Sequence, residues 1–359
     1  MNQGNIYLRK DGRWEGRIVI GRKDGKRQYH AFFGRTREEA AGKMAEYQKS
    51  IRNAVVQTVQ FSVVWSSWYR SMEYRVKEST AANYRLKAYK HILPRFGSNE
   101  ISVITPDDIC SFIRDKQRDG LSGRYITDIL ILMKAVFKYA VRVYHIQNPM
   151  EGIIMPKKQK PDIRLLSADE QAKLEQCISE KPNLTTLGIA LTMATGLRIG
   201  ELCALQWKDI DLEKRILTVS KTIQRVQCKG GSKKTKLIIT DPKSETSRRT
   251  IPIPAFLIGF LCQFQGAPEQ FLLSGTKHPV EPRTMQYRFT KILKNGKLPS
   301  VHFHALRHMF ASKCIQLGFD VKALSEILGH SGVEITLNRY VHSSFERKTE
   351  LMDRLKMTV

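Results

Sequence analysis

The stretch ATGLRIGEL, residues 194–202, places a glycine turn directly before a short helix that carries Arg198 and Glu201. Residues three apart on a helix share a face, so the carboxylate can orient the guanidinium while Arg198 points at a substrate. An Arg-x-x-Glu pair alone is an ordinary surface ion pair more often than a site. The Arg198–Glu201 pair therefore indicates a functional site only in combination with the polar residues that follow it in the sequence.

The segment HALRH, residues 304–308, repeats this geometry, with His304 and Arg307 at the start of a helix. Two guanidiniums can bracket the non-bridging oxygens of a phosphate. The competing interpretation is a metal site, because His302, His304 and His308 form an H-x-H-x-x-x-H set. It is the weaker one, since no acidic residue lies nearby to complete the usual ligand shell.

Three further residues complete a group suited to phosphodiester chemistry. They are Lys243 in DPKSETSRRTIPIP, His330 in LGHSG and Tyr340 in LNRYVH. Arginine, lysine and histidine side chains can hold a phosphodiester and stabilise its transition state, and a tyrosine can attack it.

The composition agrees with a nucleic-acid partner. Sixty Lys and Arg residues against 34 Asp and Glu leave a net charge of +26 over 359 residues. A charge of this size attracts a polyanion, because each neutralised phosphate releases counterions. With 42% hydrophobic residues the chain can build folded cores, and its length suggests two or three domains.

The sequence shows no secretory signal and no apolar run of the roughly 20 residues that a membrane span needs, so we expect a cytoplasmic protein. No C-x-x-C pair indicates a disulfide framework or a cysteine zinc site. We expect the cysteines to be reduced and mostly buried: Cys110, Cys177, Cys203, Cys228, Cys262 and Cys314.

Residues 1–55 predict a three-stranded sheet backed by one helix. The turn signals Asp11-Gly12 and Asp24-Gly25 separate three alternating runs, and Thr36 has the chemistry of a helix N-cap. One sheet face could enter a DNA groove, although a structural cap with a solvated basic face is the alternative. The candidate DNA contacts here are Arg13, Arg17, Lys26 and Arg27.

Residues 58–150 predict an all-α bundle of four amphipathic helices. Thr105-Pro106 provides one helix start, and Pro94 and Gly97 are expected to end the preceding helix. A basic, proline-containing linker follows at 151–163. We expect exposed phosphate contacts from the bundle and the linker: Lys87, Lys90, Arg124, Lys157, Lys158 and Lys160.

Residues 164–359 predict a mainly α domain with a small antiparallel β insert between 215 and 254, ending in a short tail. Ser167 begins its first helix with a capping box that includes Glu170. The predicted fold class is thus a multidomain protein with an N-terminal sheet, a helical bundle and a mainly α domain that holds the candidate site.

The ordered set of R-x-x-E, lysine before S-x-R-x-I-P, H-x-L-R-H, L-G-H and tyrosine resembles the catalytic set of the tyrosine recombinases, the phage integrase family. The resemblance covers residues 164–345. The two N-terminal segments resemble that family's arm-binding and core-binding domains, and the nearest likeness is to integrases of phages and conjugative transposons.

The resemblance implies a role for each residue. Tyr340 is the nucleophile that forms a 3′-phosphotyrosyl bond and frees a 5′-hydroxyl, and His304 assists with its proton. Arg198 and Arg307 stabilise charge on the non-bridging oxygens. Lys243 is the general acid for the leaving 5′-oxygen. By the same resemblance His330 donates a hydrogen bond to a phosphate oxygen, and Glu201 supports the arginines.

Alternatives to two of these assignments exist in the sequence. Lys221 and Lys236 could replace Lys243, but only Lys243 occupies the turn directly before the Ser-Arg-Arg-Thr-Ile-Pro run. Tyr287 could replace Tyr340, but it lies in a basic helical stretch that is more typical of DNA contact or packing.

The resemblance also implies the partners. These are double-stranded DNA with core-type and arm-type attachment sites, a tetramer of this chain on DNA, and accessory bending and excision-directing proteins. It implies a Holliday-junction intermediate and no metal or nucleotide cofactor. The alternatives are a type IB topoisomerase, a chromosome-dimer recombinase and a binding module without catalysis.

Overall fold

The computed structural model describes residues 5–23, 26–57, 59–157, 164–228, 235–241, 245–340, 349 and 352–353. The chain divides into two compact units, Met1–Lys160 and Pro161–Val359. Each unit has its own hydrophobic core.

The first unit begins with an antiparallel sheet in the order β1 (Asn5–Leu8), β2 (Trp14–Lys23) and β3 (Lys26–Gly34), followed by α1 (Arg37–Gln57). Helix α1 packs on one sheet face, where a Cβ on Gly16 would lie 2.3 Å from the Met44 sulfur. Thr36 caps α1, since its hydroxyl accepts from the Glu39 amide at 3.2 Å. The Asp24-Gly25 turn lies outside the described residues.

A helical bundle follows in the same unit: α2 (Phe61–Glu73), α3 (Glu78–Lys87), a π-helical turn (Ala88–Ile92), α4 (Leu93–Phe96), α5 (Pro106–Arg118) and α6 (Gly123–Tyr144). Aromatic side chains such as Phe61, Phe96 and Phe137 form its core. Thr105 makes the predicted cap of α5, and its capping box includes Asp108.

The prediction that Pro94 ends a helix is wrong. The helical path continues from α3 through the π-helical turn and across Pro94, and it ends at Phe96 before Gly97. Proline removes one amide donor and crowds the carbonyl four residues earlier, and the wider π turn just before it accommodates both effects.

The first half of the predicted linker packs on the bundle. Met150 is buried, and Ile153 and Met155 lie against the bundle core. The Thr127 hydroxyl donates to the Pro156 carbonyl at 3.4 Å. Residues up to 157 therefore belong structurally to the first unit.

The second unit is mainly helical. Its helices are α7 (Ala168–Glu180), α8 (Leu184–Thr195), α9 (Ile199–Ala204), α10 (Ala255–Cys262), α11 (Pro282–Asn295), α12 (His304–Gln316), α13 (Val321–Leu328) and α14 (Val333–Tyr340), with short 3-10 helices at Trp207–Asp209 and Glu245–Ser247. Helix α8 contacts α7, α10, α11 and α12. Ser167 forms the predicted capping box with Glu170. Leu187, Leu191 and Leu306 are buried in the core of this unit.

The β insert forms two small antiparallel sheets. One has the order β4 (Ile210–Asp211), β5 (Ile216–Val219) and β8 (Arg249–Pro252), and the other pairs β6 (Thr222–Gln227) with β7 (Thr235–Thr240). In the first sheet Leu217 pairs with Ile251 and Val219 with Arg249. The predicted fold class is therefore confirmed, with the insert divided between two sheets.

Among the described residues, no helix combines the length and the apolar character that crossing a membrane requires. All six cysteines are free thiols, but only Cys203 and Cys314 are buried, so the expectation of mostly buried thiols is wrong. Burial raises the pKa of Cys203 to about 12.

Candidate active site

Arg198 and Glu201 lie where α8 gives way to α9. Gly196 ends α8, and Arg198 is the N-cap residue of α9. The Glu201 carboxylate accepts the Arg198 amide at 3.0 Å and the Arg198 Nη1 at 2.7 Å. One carboxylate thus fixes both the backbone and the side chain of Arg198.

Arg249, at the start of β8, is the second partner of Glu201. Its Nη2 donates to Glu201 Oε2 at 2.8 Å and its Nη1 to Oε1 at 3.2 Å, and both side chains are almost fully buried. Burial acts to raise the pKa of Glu201, but the hydrogen bond and charge of Arg249, followed by the charge of Arg198, hold it below the ordinary value. Glu201 is therefore a carboxylate anion between two guanidiniums.

Three successive carbonyl oxygens at the end of α13, here called the carbonyl row, each accept from a different arginine. The Ile327 oxygen accepts from Arg249 Nε at 2.5 Å, the Leu328 oxygen from Arg307 Nη2 at 2.6 Å, and the Gly329 oxygen from Arg198 Nη2 at 3.0 Å. We call Arg198, Arg249 and Arg307 the α13 arginines, because each of them donates to a carbonyl at the end of α13. The last carbonyls of a helix have no partner within it and carry partial negative charge, which suits cationic donors.

His330 directly follows the carbonyl row. Its amide donates to the Ser325 carbonyl at 3.1 Å, and Gly329 before it has a φ of 63° in the left-handed region, which is the geometry of a Schellman helix end. A side chain on Gly329 would also meet Arg249 Nη1 at 3.0 Å. The Nδ1 atom of His330 lies 2.8 Å from the Thr336 hydroxyl on α14.

His304 and Arg307 come from the first turn of α12. Arg307 is 1% exposed, and its Nη1 donates to the Gly196 carbonyl at 2.7 Å. The rings of His304 and His308 pack edge to face with centroids 4.7 Å apart. Within the described residues, no group of three or more His, Cys, Asp or Glu side chains is arranged to hold a metal ion.

These elements border an open cavity of about 280 Å³. It is lined by Arg198, Ser247, His304, Arg307, Gly329, His330, Ser331 and Ile335. Four of the six residues predicted for catalysis thus meet in one cavity, although they come from segments up to 132 positions apart in the sequence. A concave site with two guanidiniums and two imidazoles suits an oxyanion such as a phosphodiester.

The other two residues predicted for catalysis are Lys243 and Tyr340. Lys243 lies outside the described residues. Tyr340 is the last residue of α14, and its side chain lies outside what the structure describes. Of the alternatives, Lys221, Lys236 and Tyr287 do not line the cavity, and Tyr287 is 70% exposed on α11.

Arg249 is the residue that the sequence reasoning missed. Strand alternation could have revealed it, because Arg249, Ile251 and Ile253 point to one side of the strand and both isoleucines are buried. An arginine in register with two core isoleucines is a buried charge, and buried charges require partners.

The predicted DNA contacts of the bundle and linker fall into three groups. Lys90, Arg124 and Lys157 are exposed. The expectation that Lys87 is exposed is wrong: it is 7% exposed and lies 3.6 Å from Asp128, a residue of the packed helix α6. Lys158 and Lys160 lie outside the described residues.

The sheet face opposite α1, here called the outer face, carries arginines stacked on aromatic rings. Arg17 lies 5.3 Å from the Tyr7 ring centre, and Arg9 and Arg13 lie 5.5 and 5.7 Å from that of Phe33. We call Arg9, Arg13 and Arg17 the outer-face arginines. The side chains of Lys26 and Arg27 lie outside what the structure describes.

Carboxylates orient these guanidiniums. Glu15, only 2% exposed, accepts from Arg17 at 2.6 Å and from Arg9 at 3.1 Å, and Asp11 accepts from Arg13 at 2.9 Å. The hydrogen bond from Arg17 holds the pKa of Glu15 below its ordinary value. The outer face is therefore a preorganised cationic and aromatic surface.

An N-terminal sheet, a helical bundle and a mainly α domain with an oxyanion-binding cavity are typical of proteins that act on DNA phosphodiesters. Residues 164–347 match the phage integrase family, and residues 60–117 match the N-terminal SAM-like domain of phage integrases. The chain belongs to the phage integrase family of tyrosine recombinases.

Two curated relatives cover nearly the whole chain. A protein of Caldanaerobacter subterraneus subsp. tengcongensis named "Tyrosine recombinase XerC-like" is 30% identical over 371 residues, with 94% of each chain covered. The "ICEBs1 integrase" of Bacillus subtilis is 26% identical over 337 residues, covering 89% of this chain and 90% of its own.

Solved structures show the same architecture. The Tn1549 transposon integrase in complex with circular intermediate DNA is 25% identical, with a TM-score of 0.66 over 83% of this chain and 100% of that chain. A lambda integrase tetramer bound to a Holliday junction shares the fold at 20% identity, with a TM-score of 0.61 over 95% of this chain and 98% of that one.

Proposed function

We propose that this chain is the integrase of a mobile genetic element, which cleaves and rejoins DNA strands at paired attachment sites to integrate or excise that element. The observation that carries the proposal is the cavity that gathers Arg198, His304, Arg307 and His330. The names of the ICEBs1 integrase and of the Tn1549 transposon integrase support the mobile-element assignment.

The proposed reaction is an exchange of phosphodiester bonds. The Tyr340 oxygen attacks the scissile phosphorus, a 3′-phosphotyrosyl bond forms, and the bond to the 5′-oxygen breaks. The 5′-hydroxyl of a second strand then attacks the phosphotyrosine and releases Tyr340. Because bond energy is conserved in the phosphotyrosine, neither a metal ion nor a nucleotide is needed, and a Holliday junction lies between the two rounds of exchange.

The cavity residues act on charge and protons. Arg198 and Arg307 stabilise negative charge on the non-bridging oxygens, which is usually the largest electrostatic contribution in such reactions. His304 assists removal of the Tyr340 proton, since an unperturbed tyrosine has a pKa of about 10. His330 donates to a phosphate oxygen, and Lys243 protonates the leaving 5′-oxygen.

Glu201 keeps the guanidiniums in place. It is buried between Arg198 and Arg249, and its low pKa keeps it charged at neutral pH. Glu201 thus orients Arg198, and the Gly196 and Leu328 carbonyls orient Arg307. Both arginines that face the phosphate enter the reaction already oriented, so little reorganisation is required in the transition state.

We assign the remaining regions to DNA binding. Residues 1–55 bind arm-type sites through the outer face, with Arg13, Arg17, Lys26 and Arg27 as contacts. Residues 58–150 and the basic linker 151–163 bind core-type sites, with contacts from Lys90, Arg124, Lys157, Lys158 and Lys160. Residues 164–359 form the catalytic domain. A chain that binds two kinds of site can bridge distant DNA segments.

The working form is a tetramer on DNA, assisted by DNA-bending and excision-directing proteins, in the cytoplasm of a bacterial host. A lambda integrase tetramer bound to a Holliday junction supports the stoichiometry. The sheet with its outer face favours an integrase over a chromosome-dimer recombinase, because the arm-binding role needs that extra domain.

The deciding experiment uses attachment-site DNA taken from the sequence that flanks the gene. The wild-type chain is expected to form a covalent protein–DNA adduct and joint molecules between paired sites. Tyr340→Phe should abolish the adduct and leave DNA affinity within about twofold, because removal of one hydroxyl removes the nucleophile and little binding surface.

Tyr287→Phe is the matched control, since it removes an exposed tyrosine hydroxyl from the same unit and should leave the adduct unchanged. An adduct that survives in Tyr340→Phe would refute the nucleophile assignment. Relaxation of supercoiled DNA without joint molecules would instead identify a topoisomerase.

A further inference from the structure

Thr336 is a buried polar residue beside the cavity. Its exposure is 0%, and its hydroxyl lies 2.8 Å from Nδ1 of His330, which lines the cavity. Thr336 also lies one helical turn before Tyr340 on α14, so the same helix carries the proposed nucleophile and this contact. The resemblance to the recombinase family assigned no role to Thr336.

The burial of the hydroxyl determines which atom donates. A neutral histidine has one ring nitrogen that donates and one that accepts, whereas a threonine hydroxyl can do either. Within the described part of the chain, Nδ1 of His330 is the partner that the structure gives to this hydroxyl. A buried hydroxyl that only accepted would leave its own hydrogen without an acceptor, which is costly. For a neutral imidazole, the arrangement that satisfies the buried hydroxyl has the hydroxyl donating to Nδ1 and the ring proton on Nε2.

We propose that Thr336 is a positioning residue of the active site, which holds the His330 ring in the tautomer and orientation that present an Nε2–H donor to the scissile phosphate. The proposal rests on the proposed function of the cavity. Main-chain hydrogen bonds fix the backbone of His330. Its amide donates to the Ser325 carbonyl, and the Gly329 carbonyl directly before it accepts from Arg198.

The hydrogen bond between His330 and Thr336 joins two segments that must lie close together for strand cleavage. One is the loop after α13, which holds His330 and the carbonyl row, and the other is α14, which ends at Tyr340. In metal sites, loss of the partner that fixes a histidine ring through its second nitrogen typically lowers metal affinity or activity about 10- to 100-fold, and we expect the lower end of that range for this metal-free site.

The test compares Thr336→Val with Thr336→Ser in the full-length protein. Valine keeps the shape and removes the hydroxyl, whereas serine restores it. The readout is the single-turnover rate of covalent adduct formation on attachment-site DNA, measured together with DNA affinity and the midpoint of thermal unfolding. Thr336→Val should slow adduct formation about tenfold, and Thr336→Ser should return it to within about threefold of wild type.

Two controls separate positioning from a general structural role. Thr192→Val removes another fully buried hydroxyl, which donates to the Gly188 carbonyl at 2.8 Å within α8, and it should leave the adduct rate unchanged. In a His330→Ala background, Thr336→Val should cause less than about a twofold further loss, because the two residues act through one interaction.

The proposal is overturned if Thr336→Val forms adduct at the wild-type rate, if serine does not restore the rate, or if valine slows the His330→Ala variant as much as the wild type. A variant that loses DNA affinity in proportion to its rate would also overturn it. If the wild type forms no adduct that depends on Tyr340, the proposed function itself has failed, which is a distinguishable result.

Discussion

The α13 arginines and the outer-face arginines are held by different kinds of partner. The α13 arginines donate to the carbonyl row, and two of them share the buried carboxylate of Glu201. The outer-face arginines lie over the aromatic rings of Tyr7 and Phe33 and pair with Glu15 or Asp11. Arg249 and Arg307 are almost fully buried, whereas Arg13 and Arg17 are exposed.

The difference shows how one side chain can serve two kinds of phosphate recognition. A buried guanidinium must have its hydrogen bonds satisfied, and fixed carbonyls satisfy them in one geometry only, which suits a single reacting phosphate. An exposed guanidinium on a ring keeps much of its hydration and some freedom to rotate, which suits a long and variable DNA backbone.

The largest effect should come from removing one of the buried α13 arginines. Arg249→Met removes one of the two cationic partners of Glu201 and leaves a buried carboxylate poorly compensated. We expect the free energy of unfolding to fall by about 3–5 kcal/mol, measured by denaturant titration.

The neighbouring Arg248→Met is the matched control. Arg248 is 61% exposed and pairs with the exposed Asp241 at 3.1 Å, so its loss should cost less than about 1 kcal/mol. Equal losses in the two variants would mean that the Arg249–Glu201 pair contributes no more than a surface ion pair.

Next in size is Arg307→Lys, which keeps the charge and removes the planar fork. Arg307 uses two separate nitrogens for the Gly196 and Leu328 carbonyls, whereas the single nitrogen of a lysine cannot span both carbonyls and also reach a phosphate. We therefore expect adduct formation to slow by about 100-fold or more. DNA affinity should change by less than about threefold, because Arg307 presents almost no surface. A rate near that of wild type would show that charge alone is sufficient there.

A smaller effect is expected on the exposed side. Arg17→Ala should weaken binding to arm-type DNA by about tenfold and lower the slope of log affinity against log salt by about one, as measured by fluorescence anisotropy. Adduct formation on core-type DNA should be unchanged.

Lys43→Ala provides the control for this charge. Lys43 lies on α1, behind the sheet, and pairs with Glu39 at 2.8 Å. If it weakens arm-type binding as much as Arg17→Ala does, net charge and not the outer face governs the interaction.

The smallest effect concerns pH. The pKa of Glu201 in the folded chain lies below its ordinary value of 4.5. The stability that Glu201 contributes is therefore complete above about pH 4.5 and is lost as pH falls through the lower, folded-state pKa. Glu201→Gln should flatten this acid limb of the unfolding free energy, whereas Glu15→Gln should alter it less, because solvent screens the exposed Arg17. An acid limb that is unchanged in Glu201→Gln would contradict the assignment.

Sequence reasoning succeeded where geometry is local. Both the Arg198–Glu201 pair and the cap at Thr105 join residues three positions apart, and such a spacing can be read directly from the sequence. It failed where partners come from distant segments. Arg249 donates to the Ile327 carbonyl across 78 positions, and the buried Lys87 pairs with Asp128 on α6. A single proline was also a poor guide to the end of a helix, since the helical path crosses Pro94 by widening the turn before it.

Several residues of the cavity depend on the carbonyl row for their positions. Helix α13 is held in the core by Leu324 and Leu328, and its last carbonyls hold Arg198 and Arg307 while the next residue is His330. Any displacement of this one helix would shift two guanidiniums and an imidazole at the same moment. The geometry of the cavity therefore depends, as a unit, on the packing of an eight-residue helix whose own side chains do not line it.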